Sequence, residues 1–364
     1  MDNYTEEFMN DTYFRVNDCE SSLNKYSVAT ILTNRVLPIV VLGGILGIIL
    51  TVIVLRRKTM CTSTNCYLTS LAFADLLFLV LLSLQLLIER IVGCDFYSQE
   101  KYIVIHHYGN IFQNSAHITS VWITVMLAVE RYIAICYPLK AMAICTINRA
   151  RCMIAILVIS AFMCRIPNFF DMTPTIHKTN GSWIVEWNWN FDAYNIALHT
   201  FIVDCVLTAI LPFIALTILN IRLILEIHKS SRYLRYHLAA DSNVQTVISR
   251  EQLKITVMLL IIILAFFPCQ GPTIFYHAVE AIYKRFKVTE SDKIFGDEKS
   301  YSQFLAAARI LLALKSSLNF IIYCWFSEKF WNTFKRIFCL RYCLPKQLPK
   351  RNDCIHIREF PELS

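Results

Sequence analysis

The sequence predicts an all-α membrane protein: a bundle of seven transmembrane helices followed by a short amphipathic eighth helix. Three observations carry this. Of 364 residues, 56% are hydrophobic and only 17% charged, whereas a soluble domain carries about 25% charged residues. Seven windows are apolar over the ~20 residues that cross a hydrocarbon core, near 36–55, 66–89, 104–129, 152–170, 194–221, 255–278 and 302–326. Finally, Glu130-Arg131-Tyr132 closes an uncharged, mostly apolar stretch from Ile111 to Val129. Opposite charges at a membrane edge are costly, so they read as functional.

The elements follow in order. Residues 1–35 are polar and hold no signal-peptide core, so the uncharged first span is expected to act as the insertion signal. The second span carries Asp75 in its middle, and the third ends in the charged triplet. Pro138 follows shortly and ends that helix. Arg165 interrupts the fourth span and makes it the weakest. Asp204 and Pro212 lie in the fifth, Phe266, Gln270 and Pro272 in the sixth, and Arg309, Lys315, Ser316, Asn319 and Tyr323 in the seventh. From Ser327 to Phe338, aromatics recur at helical spacing with basic residues opposite, which suits a helix lying on the inner leaflet. The chain thus divides into a tail (1–35), the transmembrane domain (36–326) and the amphipathic helix with its own tail (327–364).

Orientation comes from the basic loops. Arg56-Arg57-Lys58, then Lys140, Arg149 and Arg151, then Lys229, Arg232 and Arg235, and finally Lys329, Lys335, Arg336 and Arg341 fall on one side. The positive-inside rule makes that side cytoplasmic and the amino terminus extracellular. The net charge of +8 is then a basic rim facing the membrane surface, with no nucleic-acid partner implied. Glycosylation sequons begin at Asn3, Asn10 and Asn180, all in segments this topology makes extracellular. Of fourteen cysteines, only Cys19 and Cys94 are clearly outside. Cys339 and Cys343 follow the last span, where lipidation and inert thiols are both open.

Met60-Cys61-Thr62-Ser63-Thr64-Asn65-Cys66-Tyr67-Leu68, Glu130-Arg131-Tyr132-Ile133-Ala134-Ile135-Cys136, Val121-Trp122-Ile123-Thr124-Val125 and the Asn319-Phe320-Ile321-Ile322-Tyr323 ending resemble the rhodopsin-like G-protein-coupled receptors over roughly residues 30–345. Among these the chain is similar to peptide receptors of the thyrotropin-releasing-hormone and FMRFamide types. Several family positions differ: Ile48, Val158, Gln270, Asn220 and Phe320 replace an asparagine, two tryptophans, a tyrosine and a proline. The family's bridge from the third span to the second extracellular loop lacks both cysteines. His106 stands at one end, and 171–192 contains no cysteine. A Cys19–Cys94 bond is the substitute this leaves, with two free thiols as the alternative.

The resemblance implies that Arg131 pairs with Glu130 at rest and swings toward a heterotrimeric G protein, with Tyr132, Pro138 and Tyr323 in the same machinery. The sixth-helix acid that usually restrains this arginine is Gln252 here, beside Glu251. It also implies a small sodium pocket around Asp75, Ser120, Ser316 and Asn319, with Phe266, Gln270 and Pro272 at the core switch. Lys315, one turn before Asn319, shares that helix face. A lone lysine there costs several kcal/mol, so its ammonium is expected to stand in for the sodium ion. Other acceptors or water remain an alternative.

Glu89, Gln113, Asp204, Tyr276, His277 and Arg309 are expected to face the ligand, and Gln113 replaces the aspartate of amine receptors. Mixed charges and aromatics suit a short peptide with charged or amide ends. A plasma-membrane neuropeptide receptor is therefore the leading reading. It needs no cofactor or metal, and the sequence shows no nucleophile–base pair of an enzyme. A transporter or channel would use the same buried charges, but internal repeats are not evident. An opsin would need its lysine at Ala313.

Overall fold

The computed structural model describes residues 28–92, 96–170, 172–179, 182–189, 198–199, 201–237, 257, 261, 264–265, 268–275, 278 and 298–338. Expectations for Asn3, Asn10, Asn180, Cys19, Cys94, Glu251, Gln252, Phe266, Tyr276, His277, Cys339 and Cys343, and for the side chain of Glu89, lie outside the described residues.

Six helices among the described residues are long and apolar enough to cross a membrane: Val28–Leu55, Ser63–Ile88, Ile105–Cys136, Ile147–Phe169, Phe201–Glu226 and Ser302–Phe326. They coincide with six of the seven expected spans, and the described residues of 255–278 are helical as well. The first helix begins ahead of its expected start and includes a wide π-turn at Leu32–Val36. Ile39, Leu42, Leu46, Ile159 and Met163 are among many large apolar side chains left exposed. In a multi-pass membrane protein these face lipid, and the polar groups turn inward.

The core divides along the bundle axis. Toward the end that carries the basic loops, Val54, Leu71, Ile123, Leu127, Tyr323 and Phe330 pack in one cluster. Toward the other end, Leu37, Val41, Ile48, Leu79, Ile310 and Ala313 form a second. Between the first and seventh spans the contact is close. A Cβ on Gly44 would overlap the Ser317 hydroxyl and Leu79, so glycine permits the helices to approach, as small residues do where membrane helices pack. Ser317 uses that proximity to donate to the Val40 carbonyl at 3.2 Å.

Short elements punctuate the spans. Thr62 Oγ1 accepts the Asn65 N–H at 3.2 Å and caps the second helix. A one-turn loop helix, Pro138–Ile144, opens on the proline expected to end the third span. After the 3₁₀ turn Ile166–Phe169 come strands β1 (Met172–Thr179) and β2 (Ser182–Trp189), antiparallel from Met172↔Trp189 to Thr179↔Ser182. Asn180-Gly181, a dipeptide favoured in two-residue hairpins, joins them in sequence. This hairpin is the one element the all-helical expectation did not contain.

The fifth span opens as a π-helix, Phe201–Ile210. Pro212 has no N–H to give the preceding turn, and the Trp122 indole donates to the Leu207 carbonyl at 3.1 Å. The amphipathic helix Glu328–Phe338 is capped by Ser327 Oγ on the Phe330 N–H at 3.2 Å. Glu328 in its first turn and Lys335 and Arg336 in its last complement the helix dipole. Phe330 is buried against Tyr323, and Trp331 stacks on Phe334 at 5.5 Å beneath Lys335.

Overpacking a filled contact costs about 1–3 kcal/mol. Gly44→Val is therefore expected to lower surface expression several-fold. Gly43→Val should not, because nothing lies within 4 Å of its missing Cβ. Flow cytometry of a surface epitope checks the contrast, and equal yields would mean that the helices do not meet at Gly44.

Candidate functional site

Asp75 is the centre of the polar core. Its side chain is buried, and donors from two other helices converge on it. Ser120 of the third span donates at 2.7 Å and Ser316 of the seventh at 3.0 Å, both to Oδ1. Asn319 Nδ2 donates to Oδ2 at 2.8 Å. Helical spacing produces this: Lys315, Ser316 and Asn319 lie on one face, one turn apart. The Lys315 ammonium donates to Ser120 Oγ at 3.2 Å. The cation therefore reaches the carboxylate through a hydroxyl that accepts from one and donates to the other. A closed cavity of about 10 Å³ beside it, lined by Thr124, Lys315 and Asn319, has room for about one water.

Two further polar contacts cross the bundle. Gln270 of the sixth span lies 2.8 Å from His117 Nε2, and the His117 ring packs 5.5 Å from Phe78. His117 was not singled out from sequence; its only signal was a histidine in an apolar span. Pro272, near Gln270, is half-buried in the same helical stretch.

Arg165 and Asp204 form the second. The guanidinium of the fourth span holds the carboxylate of the fifth by two N–H groups, the longer at 3.4 Å, and both side chains are largely buried. Asp204 was expected among the ligand contacts and Arg165 only as an interruption. The structure instead joins them, because a buried arginine needs a carboxylate and this one is within reach. Gln113 is half-buried, and its Oε1 has no hydrogen-bond partner among the described residues. Arg309 is exposed.

At the basic end, Glu130 and Arg131 are both buried. Adjacent helical residues do not face one another, and each reaches a hydroxyl in the first turn of the second span. Ser63 donates to Glu130 Oε1, and Arg131 donates to Thr64 Oγ1. The expected Glu130–Arg131 pair is thus replaced by two parallel contacts to consecutive residues. Tyr132 packs edge-on against Tyr137 at 6.1 Å, beside Pro138. Tyr323 is buried, with no partner for its hydroxyl among the described residues.

At the opposite end the third span is held without a cysteine bridge. His107 Nε2 lies 3.1 Å from the Asn168 carbonyl, and Phe169 packs between Tyr108 and Phe112 at 6.0 and 5.9 Å. The turn after the fourth span is therefore fastened to the third by a hydrogen bond and aromatic edges. His106 is 3.0 Å from Asn110 Nδ2, which in turn sits beside Gln85 across the bundle.

Residues 47–323 match the family model described as 7 transmembrane receptor (rhodopsin family). The chain is 26% identical to the FMRFamide receptor of Drosophila melanogaster over 86% of its own length and 54% of that protein's. It thus spans about half the length of that relative. It is 27% identical to the Sex peptide receptor of the same fly, covering 85% of this chain and 73% of the other. Against the Thyrotropin-releasing hormone receptor of Homo sapiens the identity is 29%, over 89% and 80%.

The two buried charge systems give separate expectations. Removing one member of a buried pair costs about 3–5 kcal/mol, so Asp75→Asn and Lys315→Met should each lower surface yield and the double variant should recover part of the loss. Sodium should leave the melting temperature of the wild-type protein unchanged and raise it in Lys315→Asn, which rebuilds a neutral pocket beside Asp75. Strictly additive losses would show that the two groups are not coupled.

For the other pair, Arg165→Leu and Asp204→Leu should each cut thermal stability sharply. The double variant should stand closer to wild type than either single one. A double variant that loses the sum of both would exclude the pairing.

Proposed function

The chain belongs to the rhodopsin family of seven-transmembrane receptors, and from that premise we propose that it binds a short extracellular neuropeptide and activates a heterotrimeric G protein. The observation that carries the reading is the similarity to peptide receptors across most of the chain. Relatives whose names specify FMRFamide, sex peptide and thyrotropin-releasing hormone differ in ligand but agree in kind. The basic end then lies in the cytoplasm and the amino terminus outside, in the plasma membrane. The relatives are receptors rather than enzymes, and the chemistry proposed here is recognition and conformational change alone.

The geometry supports a two-state mechanism. Arg131, buried at the cytoplasmic end, is hydrogen-bonded to Thr64 of a neighbouring helix. A side chain that can exchange one set of acceptors for another is an element a ligand can bias. The polar core between Asp75, Lys315 and Gln270 links the second, third, sixth and seventh helices, so displacement at one end is felt along the axis. On the ligand side, Gln113 offers an acceptor with no protein partner among the described residues, suited to an N–H of a peptide or an amidated terminus. Glu89, Tyr276, His277 and Arg309 complete the proposed ligand-facing set. Asp204, held by Arg165, acts on this face as a positioning residue.

Cells expressing the receptor with calcium and cAMP reporters, challenged with a library of amidated neuropeptides, are expected to yield an agonist. Arg131→Ala should then abolish the response while surface expression and peptide binding persist. Full signalling by a well-expressed Arg131→Ala variant would overturn the mechanism. A library that yields ligands only among amines or lipids would overturn the peptide reading.

A further inference from the structure

A cavity of about 310 Å³ opens beside the charged triplet, between the second, third and fourth spans and the loop helix Pro138–Ile144. That volume falls within the roughly 300–1,000 Å³ of small-molecule sites. Its back is closed by the buried residues Tyr67, Glu130 and Ala150, and its mouth is formed by the exposed residues Ile144, Arg149 and Cys152. Most of the lining is apolar, and Glu130 is the one carboxylate in it.

Glu130 supplies the second, independent observation. It is only 6% exposed. One carboxylate oxygen accepts from Ser63, and the other, Oε2, is buried with no hydrogen-bond partner among the described residues. A buried acceptor left unmade is costly, and it lines a space large enough to admit a donor. The surrounding charge limits what that donor can be. Arg131 adjoins Glu130 and Arg149 guards the mouth, so a cationic ligand would meet two positive charges and an anionic one would meet Glu130. We infer that this cavity is a binding site for a neutral molecule with an apolar body and a single hydroxyl or N–H donor, which satisfies Glu130 Oε2 from the membrane-facing side. The site is independent of the peptide ligand and needs neither the peptide nor a G protein to be tested.

Cys145 and Cys152 line the cavity and report on it. Burial, reinforced by the charge of Glu130 and opposed by Arg131, pushes the Cys145 thiol up, so modification is run at mildly alkaline pH. The full chain carrying Cys152→Ser is reconstituted in lipid nanodiscs and treated with a methanethiosulfonate, and the labelling rate at Cys145 is read by peptide mass spectrometry. The probes are 2-naphthol and 2-methylnaphthalene, alike in body and differing in the donor.

We expect 2-naphthol to slow labelling of Cys145 at least tenfold with saturation, while exposed Cys61 reacts at its unprotected rate. The methyl compound should need about a tenfold higher concentration. Glu130→Leu should erase that difference, and Ala150→Phe, which fills the cavity from its back wall, should erase protection. Absence of saturable protection, equal slowing of Cys61, or equal potency of the two probes on the otherwise wild-type chain would each overturn the proposal. That last comparison stands whether or not either cavity variant folds.

Discussion

A carboxylate without water sets the terms for this bundle. Asp75 is tolerable at its depth only because hydroxyl and amide donors from two neighbouring helices point at it. Each donor fixes the rotation of its helix: turn the seventh by one residue and Ser316 and Asn319 both leave the acid. Lys315 extends the constraint. Its ammonium would be as costly as the carboxylate, and Ser120 serves both charges with one hydroxyl. Once the seventh helix is fixed by this network, Ser317 is presented to the first, and the close approach at Gly44 follows.

The same physics operates at both ends with different materials. At the basic end, Ser63 and Thr64, consecutive in the first turn of the second helix, each take one charge of the Glu130-Arg131 pair. At the far end, the third helix is anchored by His107, Tyr108 and Phe112 against the turn after the fourth. The Arg165–Asp204 pair then ties the fourth helix to the π-helical start of the fifth. Noncovalent contacts thus occupy the region where related receptors use a covalent bridge.

Much of this was legible in the sequence, and what was not has a physical reason. The spans follow from apolar length alone. That Asp75, Ser120, Ser316, Asn319 and Lys315 share a neighbourhood follows from helical spacing together with the family resemblance. Contacts between helices remote in sequence were another matter. Arg165 and Asp204 are each visible as misplaced charges, but only packing shows that one answers the other. Ser63 and Thr64 look like ordinary helix-start residues until the third helix is set against them. The π-turn at Phe201–Ile210 leaves no periodic trace, because the residues that widen a helix are as apolar as those that do not. The hairpin was masked by the expectation that a loop between spans has no structure of its own.

The Arg165–Asp204 pair also bears on how the chain is made. The arginine enters the bilayer with the fourth helix, and its partner lies 39 residues later. At about 5–20 residues per second, translation leaves that guanidinium without its carboxylate for roughly 2–8 s. During that interval the fourth helix cannot settle fully into lipid. Its long side chain can bend toward the headgroups, and commitment comes when the fifth helix arrives. Synthesis of this half of the molecule is therefore coupled across a loop: the weaker segment is completed by the one that follows it, and a nascent chain halted between the two carries an exposed charge by which incomplete molecules are distinguished from finished ones.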